Sequence, residues 1–222
     1  VPAPQAKKSL RRRTLAKDTG PKCRYCRREG AKLFLKGVRC YTDKCSFERR
    51  PYPPGQHGQS RVKLSDYSIR LREKQKVKHM YGIGERQFRK YFSIAAKRVG
   101  KTGEALLQQL ERRLDNIVFR MGLAKTRVDA RQLVLHRHVK VNGKCVNIPS
   151  FQVKPSDVIA VRSKSLGDKR IAEALEFSKN SEPIAWLEVN REKKEAVVKT
   201  LPDRASIQYP IREQLIVEFY SR

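Results

Sequence analysis

Acidic residues are scarce in this sequence: 22 Asp and Glu stand against 51 Lys and Arg, a formal net charge of +29 over 222 residues. Self-repulsion on that scale implies that a polyanion normally neutralises the surface, nucleic acid as the first expectation and an anionic membrane as the second. The few acids are also scattered. Asp115 falls inside an amphipathic helical pattern, Asp129 in a capping position, and most others lie singly among cations. The convergent carboxylates that metal-assisted or general acid–base chemistry needs are therefore missing, and no enzyme is expected. Long apolar runs are missing too. None approaches the length of a membrane span and no secretory leader is visible, so no membrane partner is expected. No internal repeat is present. With 39% hydrophobic residues the chain can still bury one proper core or two smaller ones, which excludes a disordered tail.

The charge is unevenly spread. Residues 1–50 carry a net +12, 51–108 a net +9, 109–165 a net +8, and 166–222 zero. A basic surface that stops three quarters of the way along places the first three segments against the polyanion and the last against water or protein.

Of five cysteines, four form a C-x2-C-x13-C-x4-C arrangement, Cys23, Cys26, Cys40 and Cys45, beginning in "GPKCRYCRREG". In an unsecreted chain such a cluster stays reduced, and two close pairs joined by a short loop can set four thiolates at the corners of a tetrahedron. A metal then replaces the core that so short a segment cannot build. Zinc is the first reading and an iron–sulfur cluster the alternative; free thiols or a redox pair are the plain readings. The surrounding cations are expected to lower the thiol pKa values. Cys145 reads as a small packing residue. The fixed knuckle would present Arg24, Arg27, Arg28 and Lys32 to phosphates.

Residues 1–19 include "KKSLRRR" and read as a flexible basic arm, with an organellar transit remnant as the rival. "RRPYPPGQHGQSR" follows the cluster as a rigid loop whose Arg49, Arg50, Tyr52, Gln56, His57 and Arg61 supply donors and a stacking face. Ser65 should cap a helix running to Gly82, with Tyr67, Leu71, Val77 and Tyr81 toward a core. Its Arg70, Arg72, Lys74, Lys76 and Lys78, offset within the helix by Glu73, are assigned to phosphate contact. A second helix buries Phe88, Tyr91, Phe92, Ala95 and Val99. Helical periodicity then runs from Leu106 to Gly122, and Thr126 caps "TRVDARQLVLHR". Asn142-Gly143 marks a hairpin in which Val141 faces Lys144 and Val139 faces Val146. "PSFQV" and "VIAV" add strands, 166–180 is helical, and "AWLEV", "EAVVKTL" and "QLIVEFYS" read as strands, with Trp186 and Phe219 in the core.

The run "RRLDNIVFRMGLAKTRVDARQLVLHRHVKVNG" resembles the RNA-binding module named after ribosomal protein four of the small subunit. With "GPKCRYCRREG", "ERRPYPPGQHGQ", "LREKQK", "YGI", "ERQFR" and "LIVEFYSR" in family order, residues 20–222 as a whole resemble that ribosomal protein family, bacterial type. The resemblance implies a primary rRNA-binding constituent of the small subunit that nucleates assembly of the subunit body. It also implies a place where mRNA enters, contact with ribosomal protein five at an interface affecting decoding accuracy, and a cytoplasmic, ribosome-bound location, an organellar ribosome being the lesser alternative. One departure is that 19 residues precede the "GPKC" motif where family members begin only a few before it.

The expected fold is α+β: a metal-stabilised knuckle at 20–48 after the arm at 1–19, a mostly helical domain at 49–111 completed by C-terminal strands within 176–222, and an inserted helix–helix–sheet RNA-binding module at 112–175. RNA contacts are assigned to the residues named above together with Arg113, Arg127, Arg131, His136, His138, Asn142 and Lys144. The rival functions are an RNA-modifying enzyme and a DNA-binding regulator built on the same elements. Cationic density spread over 165 residues, rather than on one groove-sized helix, counts against the regulator.

Overall fold

The computed structural model describes residues 20–60, 63–179 and 184–221; the arm at 1–19 and Arg61 lie outside the described residues. The chain opens with α1 (Cys23–Glu29), which ends where Gly30 adopts the left-handed region at φ 63°. A 3-10 turn at Gly37–Tyr41 and the short α2 (Ser46–Arg49) complete the cysteine-bearing segment. The long helix α3 (Asp66–Tyr81) starts as expected, with the Ser68 N–H donating to the Ser65 hydroxyl, and stops at left-handed Gly82. Two further helices follow, α4 (Glu85–Ala96) and α5 (Thr102–Glu111).

The leucine spacing across 106–121 predicts one continuous helix, but the chain breaks it at Arg112 and Arg113 and restarts as α6 (Leu114–Arg120). The break is made by tertiary pairing. The Leu114 and Asp115 N–H groups donate to the Phe151 and Pro149 carbonyls, and the Val153 N–H donates to the Arg112 carbonyl. "PSFQV" is consumed in this contact as a single bridge, Arg113 to Gln152, rather than forming a strand. Next comes α7 (Arg127–Leu135), capped by Thr126 as its sequence predicts.

Strands β1 (Val139–Val141) and β2 (Lys144–Cys145) form the expected hairpin, with Val141 opposite Lys144 and Lys140 opposite Cys145. After β3 (Val158–Val161) and α8 (Lys169–Phe177), β4 (Leu187–Asn190) and β5 (Glu195–Val198) complete one antiparallel sheet in the order β2-β1-β3-β5-β4. The C-terminal strands therefore extend the sheet of the module and do not complete the helical domain. What completes that domain is α9 (Glu213–Tyr220), the segment "QLIVEFYS" that reads as a strand. A short apolar run cannot distinguish helix from strand by itself. Here the neighbours decide, because Ile216 is buried in the core built by α3, α4 and α5.

Two cores result. Val77, Tyr81, Phe88, Tyr91, Leu106, Leu110 and Ile216 pack the helical domain, while Ile117, Val118, Val139, Ile159, Ile171, Trp186 and Ala196 pack the module. Four apolar expectations fail. Val99 lies beyond α4 and is fully exposed, Tyr67 and Cys145 are exposed, and Phe219 is only half-buried beneath Lys74. In each case helical or strand periodicity runs past the residues that a partner element covers.

Candidate nucleic-acid interface and cysteine cluster

Each predicted contact can be tested by asking whether its charge is already engaged within the fold. On α3 it is. Arg70 donates to Glu218, Arg72 to Glu29, Lys74 and Lys78 to the two oxygens of Glu85, and Lys76 to Glu73 and to the Pro210 carbonyl. Lys74 is buried, its ammonium 4.5 Å from the centre of the Phe219 ring. The helix that looks most like a phosphate ladder is thus an internal ion-paired strut, and its five cations are not the outward row that the sequence suggests. The physical reason is that α3 lies between α1 and α9, which bring Glu29 and Glu218 to it.

Arg113 is also removed from the surface. It is 1% exposed, donates to both carboxylate oxygens of Asp115 and to the Tyr91 hydroxyl, and seals the α5–α6 break. Arg127 lies with its guanidinium carbon 4.6 to 5.1 Å from the ring centres of Phe119, Tyr81 and Tyr209, donating to Asn116 Oδ1 and the Tyr209 hydroxyl. Arg131 is half-buried with its Nη1 3.7 Å from Asp115. At the knuckle, Arg27 donates to the Tyr52 carbonyl and covers the Tyr52 ring, which consumes that ring as a stacking platform. Lys32 pairs with Glu48. At the hairpin, Asn142 donates to Asp157 and accepts from the Val158 N–H, so it is a turn residue. His138 bonds Ser165, and burial pushes its imidazole below the usual range.

The expected residues that face solvent are Arg24, Arg28, Arg49, Arg50, Gln56 and His57 on the cysteine-bearing segment and its loop, and His136 and Lys144 on the module. The structure adds a row missing from the sequence-based assignment. Arg86, Arg89 and Lys90 lie on the exposed face of α4, opposite buried Phe88, Tyr91 and Ala95, and form no ion pair among the described residues. Glu85, the acid nearest them in sequence, is held instead by Lys74 and Lys78. The signal that finds this row is the helical period itself, which sets these cations opposite the apolar stripe.

Cys23, Cys26, Cys40 and Cys45 all line one small cavity of about 20 Å³, and none forms a disulfide. The side chains do not converge further than this. Among the described residues no three His, Cys, Asp or Glu groups form a set ready to hold a metal. Contrary to the expectation from the neighbouring cations, burial pushes the Cys26 and Cys40 thiols up, and the other cysteines of the cluster add to it. Four sulfurs sharing one cavity, three of them on buried residues, fit the donor chemistry of a soft-metal site, since a cation would remove that mutual penalty.

Among carboxylates, Glu111 is fully buried and accepts from Tyr81, Asn116 and Arg120, which leaves it no role in chemistry on a ligand. No helix of the described residues is long and apolar enough to cross a membrane.

Comparison with known proteins agrees with this arrangement. The family described as "Ribosomal protein S4/S9 N-terminal domain" matches residues 17–111, and the family described as "S4 domain" matches residues 112–159. The small ribosomal subunit protein uS4 of Halothermothrix orenii is 57% identical over 208 residues, 94% of this chain and all of that relative. The uS4 of Dictyoglomus turgidum and the uS4A of Myxococcus xanthus are 56% and 57% identical over the same lengths. The chain belongs to the uS4 family of small ribosomal subunit proteins.

Proposed function

We propose that the chain is a structural constituent of the small ribosomal subunit that binds small-subunit rRNA directly, without catalysing a reaction. The observation that carries this reading is the distribution of charge left over after folding. The cations of α3 are engaged by acids within the fold, whereas Arg86, Arg89 and Lys90 on α4, Arg28 on α1, and Lys144 on the hairpin stand at the surface. Phosphate contacts from several separate elements fix a protein on a folded RNA by shape, which suits a protein that nucleates assembly of the subunit body better than one reading a DNA groove. The test is competition at moderate salt among small-subunit rRNA, a scrambled RNA of equal length and duplex DNA. Strong preference for rRNA is expected, and equal binding to all three would overturn the reading.

The four cysteines would hold one structural zinc, which supplies cross-linking of a segment too short for its own core. An iron–sulfur cluster is the other four-thiolate outcome, and elemental analysis separates them. The family resemblance extends the proposal to cytoplasmic ribosomes, to ribosomal protein five as a neighbour, and to the channel by which mRNA enters. The charge-balanced segment 166–222, which carries ten acids among ten cations, is the surface suited to a protein neighbour.

A further inference from the structure

We infer that the cysteine-bearing segment is a latch between the two cores: its four cysteines, joined through a metal, hold the Gly37–Tyr41 turn against α7 and α8, so that metal occupancy sets how firmly the module is held to the helical domain. The inference rests on the four-cysteine metal reading and adds to it a coupling between that site and the module.

The segment is rooted in the helical domain at its two ends. Cys26 and Leu33 are buried in that core, Tyr25, Leu35 and Phe47 pack against it, and α1 packs on α3. The turn between these roots is different. Over residues 36–46 the buried positions are Gly37, Cys40 and Cys45, while Val38 and Tyr41 are exposed. No apolar side chain other than cysteine therefore anchors the turn. Cys40 and Cys45 share their cavity with Cys23 and Cys26, so the sulfurs stand where a core would otherwise be. Joining them ties the turn to α1 and through α1 to the helical domain.

The opposite side of the same turn touches the module. A Cβ built on Gly37 would stand 3.2 Å from the Lys125 Cβ and carbonyl oxygen and 3.3 Å from the Thr126 Cγ2, so the backbone runs directly against the N-cap of α7. The Tyr41 ring meets Phe177, the last residue of α8, at 5.6 Å and 70°, and the Phe34 ring lies 5.0 Å from Tyr41. Tyr41 is 65% exposed and Phe177 37%. An edge contact between rings so open to water is weak by itself and depends on the turn being held in place. With the turn fixed, the module is held on its far side, and the separate basic elements are pre-organised for one folded RNA.

Such coupling is reciprocal: if the metal steadies the contact with the module, that contact steadies the metal. Phe177→Ala tests this from the module side, far from the cysteines in sequence and outside their cavity. Using the full chain, zinc affinity measured by competition with a colorimetric chelator should weaken roughly five-fold in this variant, the low end of ordinary coupling between sites. In the wild type, stripping the zinc should speed amide hydrogen exchange over residues 122–130 and 174–179 as well as over 20–49. Exchange that quickens only within 20–49, or a Phe177→Ala zinc affinity equal to that of the wild type, would overturn the latch while leaving the metal site intact. If Phe177→Ala melts early, Tyr41→Ala replaces it. With zinc bound, that variant should speed exchange at 174–179 as zinc removal does, and unchanged exchange there equally overturns the coupling. A wild-type chain that retains no metal by elemental analysis would instead sink the metal reading and the latch together, a result visible without any variant.

Discussion

Glu111 is the residue whose loss the structure makes most consequential. It ends α5 in the helical domain, is 0% exposed, and accepts hydrogen bonds from Tyr81 of α3, from Asn116 and, at both oxygens, from Arg120 of α6. Tyr81 belongs to one core and α6 to the other, so this carboxylate joins the two. Glu111→Ala leaves the Arg120 guanidinium, 10% exposed in its side chain, without its acid. Removing one partner of a buried pair costs about 3–5 kcal/mol, a large share of a total stability of about 5–15 kcal/mol. Glu111→Gln keeps the shape and loses only the charge, so its cost should be smaller, about 1.5–3 kcal/mol. Because the network crosses between cores, Glu111→Ala should also split thermal unfolding into two calorimetric transitions. Urea unfolding followed by circular dichroism at pH 7 measures the cost, and pairing the variant with Arg120→Ala in a double-mutant cycle should show strong non-additivity. A loss below about 1 kcal/mol with one calorimetric transition would refute the argument. The pH sense follows as well. Burial pushes the Glu111 carboxyl up, but the Arg120 charge and hydrogen bonds outweigh it and hold the group below the ordinary carboxylate range. Its contribution is present above the unfolded carboxylate pKa and is lost as pH falls through the lower folded value.

The remaining expectations concern charge and metal. Cys40→Ser should release the metal measured by elemental analysis while Cys145→Ser retains it, because Cys145 is exposed and remote from the cluster cavity; equal metal in both would dismiss the four-cysteine site. Replacing Arg86, Arg89 and Lys90 together by Ala should reduce the slope of log affinity against log salt by roughly two to three for rRNA, while Lys193→Ala with Lys194→Ala leaves it unchanged. An unchanged slope in the α4 variant would remove that helix from the interface. Glu29, 2% exposed in its side chain, has its carboxyl raised to about 7 by burial, against the partial relief given by Arg72. Its contribution is complete below the unfolded value of 4.5 and is lost as pH rises to about 7, so the stability difference between wild type and Glu29→Gln should shift by about 3 kcal/mol across that window. A difference that is flat from pH 4.5 to 8 would show that Glu29 titrates normally.

What is legible in the sequence is local. The Ser65 and Thr126 caps, the Gly82 stop and the Asn142-Gly143 hairpin register depend on residues a few positions apart, and all four appear as expected. The break between α5 and α6 is hidden because the partners that enforce it, Pro149 and Phe151, are more than thirty residues downstream, and the leucine spacing continues through it undisturbed. The α9 segment reads wrongly as a strand for a related reason. Its three consecutive apolar residues, Leu215 to Val217, suit either element, and only the presence of a helical neighbour rather than a sheet edge selects the helix.

The same distinction governs the candidate interface. Counting charge along the chain treats a cation as available unless an acid lies near it in sequence, and on that basis α3 is the stronger basic ladder. Folding separates α3 from α4. Arg70 finds its acid 148 residues away at Glu218 and Arg72 donates to Glu29, 43 residues away, so the cations of α3 are engaged by segments whose own charge count gives no hint of it. The zero net charge of 166–222 is therefore not solely the mark of a surface turned from RNA, because part of its acid is spent on the interior face of a basic helix. On α4 the decisive pattern is visible without tertiary knowledge. Phe88, Tyr91 and Ala95 claim one face, and the helical period then forces Arg86, Arg89 and Lys90 onto the opposite one. A cation's availability is set by the face it occupies and by what covers that face, which leaves the outward-facing charge of the helical domain on α4 and not on the longer and apparently more basic α3.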